Sequence, residues 1–239
     1  MHERQTAGPT VPEPADPGKN WQDHDYVATW MDRDQHKALL DFPRALTAAI
    51  LADDEVDPRL IVDIASGPGD YLAVMLMQFP HARGLWADSS PAMLDVAREK
   101  LAHFADRIDF QLVDMKSLGE LDVPSSTDVV VTSRAAHHLS NEELLTFYAS
   151  CLGLLRPGGW MANLDHTQPP GTWKERYKRV RRRDQAPRQG PELPSHTHDQ
   201  APPTVAEHLE GMTAAGFCDV ELVWKTYHTG LFMGRREPS

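Results

Sequence analysis

The chain has 239 residues, a formal net charge of −11 and an isoelectric point near 5.5. This length suits one α/β domain with additional elements and is sufficient to bury a core. An acidic surface opposes phosphate binding, and no apolar run approaches the roughly 18 residues that a membrane span requires. We therefore expect neither a DNA partner nor a membrane-embedded protein.

The first residues lack the basic-then-apolar order of a signal peptide, which favours a cytoplasmic protein. Cys151 and Cys218 both stand in apolar patterns, as reduced core cysteines do. Residues 1–20 contain four prolines among small and charged residues and predict a disordered arm. We expect a single domain over residues 21–239.

Residues 21–52 contain aromatic residues and a helix-like pattern of apolar residues. They predict two helices with an interruption near Pro43, placed where they can cover a ligand cleft. Tyr26 and Trp30 admit two interpretations: they anchor this segment to the core, or they line the pocket and bind substrate.

The segment Leu60–Tyr71 combines a strand, a turn and the start of a helix. An apolar β-branched run is stopped by small residues, and apolar positions at helical spacing follow from Leu72. Such a turn lets a ligand approach backbone N–H groups at a helix N-terminus. Asp88 ends the next strand-like run, where an acidic side chain can accept both hydroxyls of a ribose.

The remaining chain continues to alternate strands with helices. Further strands are predicted at 83–88, 107–113, 127–132 and 160–164, the last one after a turn at 156–159. Capping boxes at Ser140/Glu143 and Thr204/Glu207 begin two of the helices. The close runs 220–226 and 229–233 predict an antiparallel hairpin. The fold class is therefore a doubly wound, seven-stranded, mostly parallel sheet with an antiparallel C-terminal hairpin.

These ordered motifs resemble the class I S-adenosylmethionine-dependent methyltransferases. The resemblance covers residues 58–236 and rests on five stretches: Asp63-Ile-Ala-Ser-Gly-Pro-Gly69, Asp88, Asp114-Met115, Ser133-Arg-Ala-Ala-His-His-Leu139 and Leu155-Arg-Pro-Gly-Gly159. It implies S-adenosylmethionine as cofactor and S-adenosylhomocysteine as product. It does not specify the methyl acceptor.

The resemblance also implies roles for individual residues. Asp63 and the turn of Ala65, Ser66, Gly67 and Gly69 would hold the methionine end, with Ala65 standing where the family usually has glycine. Asp88 would bind the ribose, and Ser89, Met93, Asp114 and Met115 would surround the adenine. Ser133 and Arg134, after the fourth strand, complete the expected cofactor site.

Methyl transfer needs a base only when the acceptor carries a proton. His137 and His138 follow the fourth strand, where the family's acceptor pocket opens, and His166 follows the fifth. These three histidines are the candidate catalytic residues. The alternative is that their rings only pack or hydrogen-bond at a helix entry.

Residues 165–203 interrupt the alternation with seven prolines and a basic helix at 173–184. The helix either keeps its charges in water or forms a lid whose arginines, Arg179 among them, bind an anionic acceptor. His196, His198 and Asp199 resemble half of a metal site, but a flexible proline-rich surface segment is the favoured interpretation, and no metal is expected.

The sequence thus predicts a methyltransferase acting on an O or N atom of a small-molecule acceptor. Three alternatives remain: a protein of the same fold that uses the bound cofactor for cyclisation or decarboxylation, an RNA methyltransferase that uses the basic helix, and a nicotinamide oxidoreductase. The last would normally carry a fuller glycine turn.

Overall fold

A computed structural model describes residues 21–33, 37–124, 126–184 and 201–238. The predicted arm at 1–20 and the residues His196, His198 and Asp199 lie outside this part of the chain. The described helices are α1 (His24–Arg33), α2 (Lys37–Asp53), α3 (Asp70–Gln78), α4 (Pro91–Lys100), α5 (Asn141–Leu154), α6 (Trp173–Asp184) and α7 (Val205–Ala215). The strands are β1 (Leu60–Ile64), β2 (Arg83–Asp88), β3 (Ile108–Leu112), β4 (Thr127–Ser133), β5 (Leu155–His166), β6 (Phe217–Thr226) and β7 (Thr229–Arg236).

The strands form one sheet in the order β3-β2-β1-β4-β5-β7-β6. Strands β1 to β5 are parallel, whereas β7 is antiparallel to both of its neighbours. The predicted fold class is therefore confirmed, including the antiparallel hairpin. Because β1 and β4 are central neighbours on either side of the order reversal, their carboxyl ends open the crevice in which such sheets bind ligands.

Helices cover both faces of the sheet. Ile61 and its neighbour Val62 point to opposite faces and belong to two separate apolar clusters. One cluster includes α2, α3 and α4, and the other includes α5 and α7. Within the described residues, no helix has both the length and the apolar character needed to cross a bilayer.

The fifth strand differs from its prediction. Its pairing with β4 passes from Thr127–Leu155 directly to Val129–Trp160, so residues 156–159 bulge opposite Asp128. Gly158 adopts a φ of 76°, and Arg156 binds the Asp128 carboxylate across the bulge. The Pro-Gly-Gly segment is therefore a bulge inside a strand that begins at Leu155, and the turn predicted there is wrong.

The N-terminal helices also differ in one respect. Pro43 lies inside α2, so the predicted interruption near Pro43 is wrong. A proline removes the donor to the carbonyl four residues earlier, here that of Leu39. Leu39 is exposed, which leaves that carbonyl accessible to water, and the helix continues through the proline.

Candidate active site

The turn after β1 is fixed by its backbone geometry and by one indole. The Trp86 Nε1–H donates to the carbonyl of Gly67 at 2.8 Å. Gly69 has a φ of 80°, and a Cβ at this position would lie 2.5 Å from Cδ1 of Leu101. Ala65 also lies in the left-handed region, at φ 51°. The turn therefore requires glycine at position 69 but tolerates alanine at 65.

Asp88 ties the end of β2 to this turn. Its Oδ2 accepts from the backbone N–H of Gly67 at 2.8 Å, and its Oδ1 accepts from that of Ser90 at 2.9 Å. Burial raises the pKa of this carboxyl despite these hydrogen bonds. Asp88 thus shapes the turn as well as lining the cavity beside it.

Asp63 lies beneath the turn and is 1% exposed. Its Oδ2 accepts from the Ser66 hydroxyl at 2.6 Å and from the Leu72 backbone N–H at 3.2 Å. Its Oδ1 is buried without a hydrogen-bond partner among the described residues. Burial raises the pKa of Asp63 to about 7, with the hydrogen bonds from Ser66 and Leu72 opposing the shift.

Arg44 brings a buried cation from α2 to the same end of the cavity. The residue is 5% exposed, and its Nη1 lies 3.9 Å from Oδ2 of Asp70. Its Nε, the Oδ1 of Asp63 and the Ser133 hydroxyl are buried polar atoms without a hydrogen-bond partner among the described residues. A donor, an acceptor and a hydroxyl gathered at one end fit an amino-acid group that carries both charges.

His137 and Asp165 form a buried pair at the carboxyl ends of β4 and β5. The His137 Nδ1 lies 2.6 Å from Oδ1 of Asp165, and the His137 backbone N–H donates to Oδ2 at 2.9 Å. Burial alone would raise the pKa of Asp165, but the His137 imidazole beside it holds that pKa below its usual range. The Oδ1 also accepts from the His166 backbone N–H at 2.7 Å, so His137 and His166 together satisfy this fully buried carboxylate.

Two further histidines and an arginine surround this pair. The ring centroids of His138 and His166 lie 4.1 Å and 4.9 Å from that of His137. Arg134 adopts a φ of 55° immediately after β4, a conformation that costs non-glycine residues free energy. All four residues line one cavity of about 520 Å³ together with the turn after β1. This volume suits a ligand of cofactor size with space beside it.

A methyltransferase-domain family model matches residues 61–159. Over 105 residues the chain is 33% identical to a trans-aconitate 2-methyltransferase of Methylobacterium radiotolerans, covering 44% of this chain and 37% of that protein. The model match includes the turn, Asp88 and the His-His-Leu motif, within a sheet that carries the family's reversed hairpin. The matched domain and the strand order together have the fold and the motifs of the class I S-adenosylmethionine-dependent methyltransferases.

Two further proteins broaden the comparison. The chain is 31% identical over 124 residues to an aclacinomycin 10-hydroxylase of Streptomyces purpurascens, covering 50% of this chain and 31% of that protein. An O-methyltransferase family protein of Burkholderia thailandensis shares the fold with a TM-score of 0.68 and 19% identity, covering 90% of this chain and 60% of that one. The chain thus spans less than two thirds of the length of each of these relatives.

Most residues predicted to bind the methyltransferase cofactor meet at the cavity. Asp63 and Gly69 lie behind its wall, where they shape the turn. The residues that line the cavity are Ala65, Ser66, Gly67, Asp88, Ser89, Met93, Asp114, Met115, Ser133 and Arg134, together with His137, His138 and His166.

Two of the predicted acceptor residues, Tyr26 and Arg179, are not part of the cavity wall. Tyr26 packs edge-on against Trp21 at 5.3 Å, and Trp21 is the aromatic residue of this segment that lines the cavity. Arg179 is exposed on α6, away from the cavity wall. Trp30 belongs to α1, but its side chain lies outside the described part of the structure. No group of histidine, cysteine or acidic residues in the described ranges is arranged to hold a metal.

Sequence reasoning missed three contributors to the site. Arg44 was recognisable as the only cation in the mostly apolar stretch from Leu39 to Leu51. Asp165 gave only the weak signal of an acid that directly follows the predicted strand 160–164, because its pairing with His137 depends on β4 and β5 being neighbours. Trp86 gave no signal, because an indole in a buried strand is expected to pack and its hydrogen bond to Gly67 is long-range.

Proposed function

We propose that this chain is an S-adenosylmethionine-dependent O-methyltransferase that acts on a small anionic acceptor. The observation that carries the proposal is the buried His137–Asp165 pair beside a cofactor-sized cavity. A general base is required when the acceptor is a hydroxyl, and the pair supplies one. We favour oxygen over nitrogen as the acceptor atom because a neutral amine can accept a methyl group without a base, whereas a hydroxyl cannot do so readily.

The chain's own residues account for binding of the cofactor. Arg44 takes the carboxylate of the methionine end, Asp88 takes the ribose, and Asp114 with Met115 takes the adenine. Asp63 holds the turn against the methionine end from behind the cavity wall. When bound, S-adenosylmethionine supplies a methyl group on a sulfonium and leaves as S-adenosylhomocysteine. The protein then needs to align the acceptor and exclude water.

Asp165 determines which nitrogen of His137 accepts the proton. Because the carboxylate engages Nδ1, a neutral imidazole carries its proton there and presents its lone pair at Nε2. Nε2 accepts the hydroxyl proton as the acceptor oxygen bonds to the methyl carbon. The resulting imidazolium is stabilised by the buried Asp165 charge.

The basic side chains around His137 support an acceptor that carries a carboxylate. Arg134, His138 and His166 line the same end of the cavity, and guanidinium and imidazole groups pair readily with carboxylates. The relative from Methylobacterium is named for trans-aconitate, which is itself a carboxylate. Helix α6, with exposed arginines such as Arg179, lies beyond His166 along the chain and can steer such an acceptor electrostatically.

The first experiment is an acceptor screen. Purified protein is incubated with S-adenosylmethionine and a panel of aromatic and aliphatic hydroxycarboxylates, and S-adenosylhomocysteine is quantified. We expect His137→Gln to lower kcat on the responding acceptor by about 10²- to 10⁴-fold. His81→Gln, at an exposed position, is the matched control and should retain activity. Full activity of the His137→Gln variant would show that His137 is not the general base.

A second experiment tests steering by α6. Reversal of Arg179 and Arg182 to glutamate is expected to raise the acceptor KM and to weaken its dependence on ionic strength, with kcat little changed. An unchanged KM at low salt would contradict this role. The RNA-methyltransferase alternative predicts instead that the wild-type protein methylates tRNA and that this reversal abolishes the activity.

One observation favours a second function. The relative from Streptomyces purpurascens is named a hydroxylase, so a chain with this fold need not be a methyltransferase. A chain that uses the bound cofactor without transferring its methyl group would consume an acceptor without releasing S-adenosylhomocysteine. Quantifying both compounds in the same reaction distinguishes the two functions. A cytoplasmic location and the absence of a DNA partner stay predictions.

A further inference from the structure

A buried polar chain lies behind the His137–Asp165 pair and does not take part in the proposed reaction. The His208 Nδ1 lies 2.7 Å from the Tyr148 hydroxyl, and the Asn163 amide donates to that hydroxyl at 2.9 Å. Tyr148, Asn163 and His208 each have no exposed surface. Together they join α5, β5 and α7.

The direction of these hydrogen bonds determines the charge of His208. The Tyr148 oxygen already accepts from Asn163, so its single proton is directed to Nδ1 of His208. An imidazole that accepts at Nδ1 is neutral. Burial acts in the same direction and lowers the pKa of His208.

This neutral ring lies close to the carboxylate that supports His137. Asn163 and Asp165 are two residues apart on β5 and therefore face the same side of the sheet. The electrostatic attraction of Asp165 acts on both His208 and His137, and each imidazole acts on the other. The single buried charge of Asp165 is thus shared by the imidazoles of His137, His208 and His166, and it can balance only one imidazolium.

The other described groups around His208 are one aromatic ring, one thiol, one histidine and one carboxylate. Phe232 of β7 stacks on the ring with centroids 4.5 Å apart. Cys151 of α5 is buried, and burial raises the pKa of its thiol well above its usual range, so the thiol stays neutral. His166 of β5 presents its backbone to His208 and its imidazole to Asp165. Glu207 on α7 attracts a proton to His208, but its carboxylate is engaged by Thr204 and Asn141 at the helix start.

We infer that Tyr148 is a positioning residue: it keeps His208 neutral beside Asp165 and so reserves the carboxylate's charge for His137. The inference rests on the proposed function, in which His137 accepts a proton. Without the Tyr148 hydroxyl, Nδ1 of His208 is available for a proton, and the new imidazolium competes for Asp165. Protonation of His137 then becomes less favourable.

The test follows histidine ring signals by NMR across pH 5 to 9 in the full chain, with no acceptor present. In Tyr148→Phe, the His208 signals are expected to titrate at higher pH than in the wild type. The His137 signals are expected to titrate at a pH lower by about one unit. His208→Asn keeps an uncharged acceptor near the Nδ1 position and should leave the His137 titration at its wild-type position.

The double variant Tyr148→Phe/His208→Asn separates charge from structural damage. If His208 charge is the cause, this variant restores the wild-type His137 titration, because asparagine cannot be protonated. An unchanged His137 titration in Tyr148→Phe, or a shift that persists in the double variant, overturns the inference. Tyr177→Phe, on α6 outside the network, is the control and should match the wild type. If the His137 titration shifts as expected but the wild-type protein transfers no methyl group, the proposed function is refuted and the role of Tyr148 stands.

Discussion

The buried Asp63 carboxylate predicts an unusual dependence of stability on pH. Burial raises its pKa in the folded protein to about 7, from 3.8 in a solvated chain. Between these values the unfolded state releases a proton that the folded state retains, so stability falls as pH rises. The slope is about 1.4 kcal/mol per pH unit, and over about three units the loss reaches about 4 kcal/mol.

Asp63→Asn isolates this contribution. Asparagine retains an oxygen to accept from Ser66 and Leu72, but it does not titrate. The free energy of unfolding, measured by urea denaturation from pH 4.5 to 8.5, is expected to fall more steeply in the wild type than in the variant. The difference between the two proteins should grow up to about pH 7 and then become constant.

The matched control is Asp57→Asn, because the Asp57 side chain is 66% exposed. Its unfolding free energy is expected to run parallel to that of the wild type at every pH. Parallel curves for Asp63→Asn as well would show that the buried carboxylate is not destabilised in the folded state. The physical explanation of the shift would then be wrong.

Two further predictions concern the cofactor end of the cavity. Arg44→Met removes a charged donor, so the Kd for S-adenosylhomocysteine measured by calorimetry should rise about 10- to 100-fold; Arg59→Met, whose side chain is 77% exposed, should leave it unchanged. Gly69→Ala forces a Cβ against Leu101 in a left-handed backbone and should lower the unfolding free energy by about 2 kcal/mol or more. Gly119→Ala meets no atom within 4 Å and should cost less than about 1 kcal/mol, so equal losses would contradict the steric explanation.

The sequence predicted those features that local chemistry determines. Ser140 and Thr204 both cap helices with the reciprocal hydrogen bonds that their spacing indicated. Gly69 and Asp88 occupy the turn and strand end where the motif placed them. In each case the information lies within a few residues, or in a pattern of ordered motifs.

Features that depend on contacts across the fold were not predictable in this way. Asp165 meets His137 only because β4 and β5 are neighbours, and nothing near either residue indicates the pairing. The bulge at 156–159 contains a proline and two glycines, as a turn also does. Only the pairing of β5 with β4 before and after this segment shows that it is a bulge within a strand. Pro43 predicts an interruption because helix propensity does not take into account whether water can replace the lost backbone hydrogen bond.

The position of β7 has a consequence for the order in which the two halves of the cavity form. Strands β1 to β4 with the glycine turn and Asp88 are complete once residue 133 has been synthesised. Strand β5 gains its second neighbour only when residues 229–236 insert between it and β6, with Asp165 opposite Gly230. A nascent chain can therefore form the part of the cavity that would bind the nucleoside well before the Asp165 carboxylate is enclosed. Enzymatic activity would then indicate that β7, the last strand, has inserted into the sheet.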